Sequence, residues 1–187
     1  MTEQPTGDEH DTQTSADTAS YTDSYEDVSM FTLSDDREQT LLDKQTECTF
    51  MWTTKDADPV GVIMNFVFHD GAFWLTCTRR RKRVAAIEAR PRVAVAVTSR
   101  GTDIGVSQAV TYKGNAEVLD DEATRSWFYP LLAARVRPGD DAAQAAFVAH
   151  LDTPGRVVIR IAPDGRIGFD SEVMFANSPA GASRTKV

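Results

Sequence analysis

The stretch GVIMNFVFHDGAFWLTCTRRRKRVAAIEARPRVAVAV, residues 61–97, decides the fold. Val62 to Phe68 is an apolar run interrupted only by Asn65. It is too short to cross a membrane and the right length for a buried strand. His69-Asp70-Gly71 follows, and Asp-Gly is the pair that tight hairpins favour because Gly takes φ > 0 freely. Ala72 to Cys77, rich in aromatic residues, reads as the returning strand. Five consecutive cations, Arg79 to Arg83, then lead into a short helix, Val84 to Arg90, which Pro91 stops. Val93 to Val97 is the next strand. The order is strand, hairpin, strand, cationic helix start, helix, strand.

Hydroxyls at a strand end (Thr76, Thr78) beside cations in the first turn of a helix (Arg81, Lys82, Arg83) make an anion site. Free backbone N–H groups and the positive end of the helix dipole assist it. A solvated basic face is the plainer alternative, but two flanking buried strands hold this run close to the body.

Working outward, residues 1–30 carry eight of the 28 acidic residues and no Lys or Arg, so the rest of the chain is balanced against its 20 cations. The net charge of −8 therefore belongs to the tail, and the neutral body argues against nucleic-acid binding. Such a polar tail cannot offset its ordering entropy, so we expect residues 1–30 to be disordered. It has neither the cationic start nor the apolar core of a signal peptide. A single domain is expected over 31–178, with a loose tail at 179–187. Cys48 and Cys77 are far apart and the three histidines are dispersed, so no disulfide framework and no metal site is indicated. A cytoplasmic protein with no membrane span is the expectation.

Beyond the central stretch, Ser34 to Lys44 reads as a helix and Thr46 to Thr54 as a strand. Ala109 to Leu119 is a long strand. A helix from Asp120 carries Trp127 and Phe128 and is expected to kink or split at Pro130. Asp141 to Leu151 is a further helix. Arg156 to Ala162 is a strand that Pro163-Asp164-Gly165 should turn into a last short one, Ile167 to Asp170. Tyr112 and Trp74 are core rather than ring-stacking residues by the usual burial of aromatics. Asn65 needs a partner, either a neighbouring backbone or a ligand edge. Cys77 reads as a small buried hydrophobe more than as a nucleophile. No Ser/His/Asp set, carboxylate pair or phosphate-loop glycine pattern is present, which fits an enzyme whose cofactor carries the chemistry.

The sequence resembles the pyridoxamine-5′-phosphate-oxidase-like split β-barrel family, which includes flavin- and deazaflavin (F420)-dependent oxidoreductases. The residues that carry the likeness are Phe66 to Thr76 (FVFHDGAFWLT), the basic cluster, Ile87, Arg90-Pro91-Arg92-Val93, and Val110 to Val118 with Gly114 followed by Ala116-Glu117. The resemblance implies a mainly β, mostly antiparallel split β-barrel with flanking helices, acting as a homodimer. Its cofactor would be FMN, with F420 as the alternative and haem third, and its substrate a small organic molecule. It implies that main-chain groups of Val62, Ile63, Met64 and Asn65 flank the cofactor ring. It implies too that the cations Lys82 and Arg83 and the strand-end positions Thr76 and Cys77 hold the phosphate, beside Thr78 and Arg81 of the anion site read above, with a second subunit completing each site. Trp127 and Phe128 are expected to take part in that association. A non-catalytic flavin, haem or tetrapyrrole binder on the same fold is the alternative function. Many members carry a Gln where this chain has Ala109, and Gln108 stands one position earlier, facing the other way on a strand. Asp170-Ser171-Glu172-Val173-Met174 replaces the Trp and Arg segment of true pyridoxamine-phosphate oxidases, so oxidation of vitamin B6 is not expected.

Overall fold

The computed structural model describes residues 30–176. Of the tails read as disordered and loose, 1–30 and 179–187, all but Met30 lie outside the described residues. The elements run α1 (Asp35–Lys44), β1 (Glu47–Thr53), β2 (Pro59–Asn65), β3 (Val67–His69), β4 (Ala72–Thr78), α2 (Lys82–Ala89), β5 (Arg92–Thr98) and β6 (Gln108–Leu119). They continue with α3 (Glu122–Val136), α4 (Asp141–Leu151), β7 (Arg156–Asp170) and α5 (Ser171–Ala176).

The strands form one seven-stranded sheet, in the order β2-β1-β5-β6-β7-β4-β3, and every pairing is antiparallel. β2 and β3 are its two opposite edges, yet only Phe66 separates them in the chain. The sheet must therefore curl until its edges meet at that residue, which is how the barrel closes at one end. Phe66 is fully buried there, with its N–H donating to the Thr46 carbonyl at 3.2 Å. The Arg135 guanidinium lies 5.2 Å from its ring centroid and also donates to the carbonyls of Leu42 and Gln45, tying α3 to the end of α1. The apolar run read as one strand is thus two, broken where the chain passes from one sheet edge to the other.

Two cores follow from the alternation of side chains along β4. Phe73, Leu75 and Cys77 point into the barrel with Phe50, Val95 and Ile159, and Leu41 and Ile87 of α1 and α2 join them. Ala72 and Trp74 face outward, under Phe128, Tyr129 and Leu132 of α3 and Leu151 of α4. Burial on both faces explains why β4 is apolar almost throughout. Of the two aromatic residues expected at an association surface, Phe128 is fully buried within its own chain, while Trp127, half-buried, packs edge-on against Trp74 with centroids 4.8 Å apart.

The β3–β4 hairpin turns on Asp70 (φ 54) and Gly71 (φ 69), both left-handed, as a two-residue turn between paired strands requires. Two further expectations change. Pro130 lies inside α3 and does not split it, which removes one of the two outcomes expected there. Pro163-Asp164-Gly165 does not end β7, which runs unbroken from Arg156 to Asp170. A bulge absorbs these residues, since Lys113 pairs with Gly165 and Gly114 with Pro163, leaving Asp164 over. β4 stops pairing at Ile161, so β7 is bonded on one side from Ala162 onward and tolerates a proline there. Arg92 of β5 holds the extra Asp164 through a two-point ion pair. The bulge presses the strands together: a Cβ on Gly114 would stand 2.3 Å from the Ala162 carbonyl oxygen.

Candidate functional site

α2 starts where β4 ends, and Arg81 is its N-cap residue. No side chain caps that end and no acidic residue lies in the first turn. Apart from Val84, whose N–H donates to the Arg81 carbonyl at 2.9 Å, first-turn N–H groups have no intrahelical acceptors, so this end of the helix favours an anion. Beside it opens a cleft of about 210 Å³ lined by Ile63, Met64, Thr76, Cys77, Thr78, Arg81, Arg83 and Arg156. Seven of these eight were singled out from the sequence. Asn65 stands next to them, in an adjoining hollow that shares Met64, Thr76 and Arg156 with the cleft.

The cations of this run divide by partner. Arg79 is taken up at the surface by Glu88 at 3.3 Å and Asp120 at 2.6 Å, and among the described residues these are the run's ion pairs. Arg83 instead reaches back over β2: its guanidinium lies 2.9 Å from the Met64 sulfur and 5.6 Å from the Trp52 ring centroid. A thioether and a ring face are weak partners for a five-donor group, so Arg83 keeps N–H donors for a stronger acceptor. Lys82 is exposed and does not line the cleft. Val62, half-buried opposite Phe50, lines instead a shallow apolar shelf of about 280 Å³ with Thr49, Met51, Gly61 and Ile63.

Arg156 had no local sequence signal. It opens β7, and antiparallel pairing sets it opposite Thr78. Its Nε is buried with no hydrogen-bond partner among the described residues, as is the hydroxyl of Tyr129. Burial pushes the Tyr129 phenol up; the nearby Thr76 side chain and Arg156 only partly offset this. Cys77 reports the field of the cleft: burial raises its pKa, against the pull of Arg83, Arg156 and Arg81. Three guanidinium groups therefore converge on one thiol, and burial still keeps it protonated. That suits a packed Cys77 and not a nucleophile.

The other polar residues have structural partners. Thr76 donates its hydroxyl proton to the Val157 carbonyl at 2.8 Å, which leaves Thr78 as the hydroxyl donor of the pair. Asn65 donates to the Thr46 carbonyl at 3.3 Å, keeping its amide oxygen available. Tyr112 is core; burial raises its pKa, and its hydroxyl donates to Glu38 at 2.7 Å. Trp74 is core as well, its indole N–H bonded to the His69 carbonyl at 2.9 Å. Gln108 is buried and donates to Asp170 at 3.0 Å, well engaged in the fold. Among the described residues there is no group of three His, Cys, Asp or Glu side chains able to hold a metal ion. No described helix is long and apolar enough to cross a membrane.

Known structures share this architecture. A conserved hypothetical protein of Mycobacterium tuberculosis, Rv2991, superposes with a TM-score of 0.65 at 18% identity, over 75% of this chain and 87% of that one. An F420 reductase superposes with a TM-score of 0.52 at 21% identity, covering 69% and 94%. The haem storage protein HutZ from Vibrio cholerae gives 0.54 at 9% identity, covering 73% and 94%. At these identities the likeness is one of fold. No curated protein matches the chain. The sequence profile described as pyridoxamine 5′-phosphate oxidase matches residues 35–168, well over half of the chain, and the protein belongs to that family.

Proposed function

We propose that the protein is a flavin- or deazaflavin-dependent oxidoreductase that grips its cofactor by the phosphate at the β4–α2 junction. The single observation that carries this reading is the convergence of Arg81, Arg83 and Arg156 around an uncapped helix start. That donor set fits a phosphate: planar guanidinium forks, the Thr78 hydroxyl and helix N–H groups all donate, and no carboxylate lines the cleft. Arg81 and Arg83 would hold the phosphate. The apolar shelf beside Ile63 would keep water from one face of the ring, and the Asn65 amide oxygen would accept from its polar edge. When bound, FMN or F420 supplies the hydride chemistry, and a small organic molecule is its partner. The cleft itself holds no carboxylate or imidazole, and burial keeps its one thiol, Cys77, protonated.

A homodimer belongs to the same proposal. Ile63, Thr49, Ala96, Thr111 and Ile167 lie in register across five strands on the outward face. The end residues of that row, Ile63 and Ile167, are 64% and 63% exposed. A second copy laid on this face would bury the row isologously and cover the open side of the shelf. Ile63→Glu should then shift sedimentation at low micromolar concentration from dimer to monomer; an unchanged sedimentation coefficient would contradict the placement.

Enzyme and carrier separate by rate. Anaerobic mixing of protein carrying reduced cofactor with quinones, enones and nitroaromatics should give reoxidation faster than free cofactor gives. Reoxidation no faster with every acceptor would favour a storage or sensing protein.

A further inference from the structure

A bowl of about 510 Å³ opens in the loop that joins β5 to β6, away from the β4–α2 junction. Its lining includes Thr98, Arg100, Gly101, Gly105, Ser107 and Ala109. That volume is in the range of small-molecule sites. The loop is held in shape from its base. Gln45 donates to the Thr98 and Arg100 carbonyls at 2.6 and 2.9 Å. Ser99 Oγ ties the two arms together, donating to the Val106 carbonyl at 2.7 Å and accepting from the Gln108 N–H at 2.9 Å. Gly101 (φ 83) and Gly105 (φ 81) turn the chain through left-handed backbone, and a Cβ on either would meet nothing within 4 Å.

Charge around this bowl does not cancel. Asp103 of the same loop is taken up by Lys44 at 2.7 Å. Asp170 and Glu172, on the segment bonded to Ser107 through Ser171, are both taken up by Arg37, at 2.6 and 2.7 Å. Arg100 is exposed and has no ion-pair partner among the described residues. The N–H groups of Gly101 and Gly105 are likewise without hydrogen-bond partners among the described residues. These groups all donate, and the one uncompensated charge is positive.

The bowl also shares a sheet face with the apolar shelf. Two residues beyond the outward row of Ile63, Thr49, Ala96, Thr111 and Ile167, the same strands carry Asn65, Glu47, Thr98, Ala109 and Phe169. Asn65 belongs to the cofactor site, whereas Thr98 and Ala109 line the bowl. Two strand spacings, about 10 Å, separate them, with the exposed Glu47 between.

We propose that the bowl anchors the anionic end of the small organic substrate, so that the enzyme selects acceptors with a carboxylate or similar acid group remote from the reacting atoms. The proposal names a substrate class within the oxidoreductase reading above and rests on it. Arg100 draws the acid group into the loop, and Glu47 repels one that stops short of it. Together they fix the direction of the molecule, with its uncharged, reducible end toward Asn65 and Ile63.

The full chain is titrated with para-nitrocinnamate and with its neutral amide, and its backbone amides are followed by NMR. The acid should shift the Gly101 and Gly105 resonances. It should bind about 5-fold or more tighter than the amide, the gain of one partly screened charge-assisted bond. Arg100→Gln should remove that preference and Arg100→Lys should retain part of it. Both changes fall on an exposed loop position, so the variants should fold. With reduced cofactor bound, the acid should show the lower KM in the wild type and no advantage in Arg100→Gln. If the loop resonances do not move, or if Arg100→Gln keeps the preference, the proposal is overturned while the cofactor reading stands. If the loop binds the acid but no acceptor reoxidises the cofactor faster than it reacts free in solution, the oxidoreductase reading falls and the substrate role falls with it.

Discussion

Two polar clusters sit at opposite ends of β7, and they differ in one respect. At its C-terminal end the fully buried Asp170 accepts from Arg37 Nε at 2.6 Å, Gln108 at 3.0 Å and the Glu172 backbone at 2.9 Å. Its own N–H donates to the Phe31 carbonyl at 2.6 Å, and Arg37 also pairs with Glu172 at 2.7 Å. Every group is matched, and four separate parts of the chain are tied together. At the N-terminal end, Arg156 joins Arg81 and Arg83 with no carboxylate among the residues of the cleft. A saturated network specifies a fold, whereas an unsaturated one of a single sign is built to receive something. Charge alone does not separate the two; the count of satisfied donors does.

The comparison breaks most readily at Asp170. Removing one partner of a buried ionic network leaves the others unpaired, at a typical cost of about 3–5 kcal/mol. Asp170→Ala should fall near the low end, because Arg37 keeps water and Glu172. Urea denaturation should show this loss while cofactor affinity, corrected for the folded fraction, is unchanged. A comparable loss of affinity would mean that the two clusters are not separate in function.

Arg83→Ala should do the reverse. Its ties to Met64 and Trp52 are weak, so stability should change by less than about 1 kcal/mol. One charge-assisted bond to a phosphate, about 1.5–3 kcal/mol, corresponds to roughly 10- to 150-fold in affinity. Equal affinity in the variant would remove Arg83 from the phosphate grip.

The smallest effect is one of pH. A Cys77 thiolate would repel a bound phosphate, but burial raises its pKa above the ordinary thiol value in spite of the three cations. With a raised pKa the thiol stays neutral below the ordinary value of about 8.5 and ionises only above it. Affinity should therefore change by less than about 2-fold between about pH 7 and 8.5. A Cys77→Ala variant that abolished a steep decline in that window would show the thiol ionising there instead.

Much of this was legible in the sequence, and what was not has physical causes. The hairpin at Asp70-Gly71 and the cationic helix start follow from local rules, and both lie where the residues put them. The break at Phe66 was hidden because a residue passing between two sheet edges remains buried and apolar, like its neighbours. Asn65, bonded across to Thr46, was the trace it left. Pro163 reads as a turn signal, but a bulge on a strand paired along one side takes a proline without turning. Arg156 was missed because its role exists only through the β4–β7 ladder, which brings distant residues opposite each other.

The most direct test of the phosphate grip is a pair of titrations of the full chain, one with FMN and one with riboflavin, which lacks only the phosphate. Two charge-assisted bonds, from Arg81 and Arg83, together contribute about 3–6 kcal/mol. FMN should therefore bind at least about 100-fold tighter than riboflavin, with the gap shrinking in 1 M salt. Equal affinity for the two would contradict the assignment of the β4–α2 junction as the phosphate site.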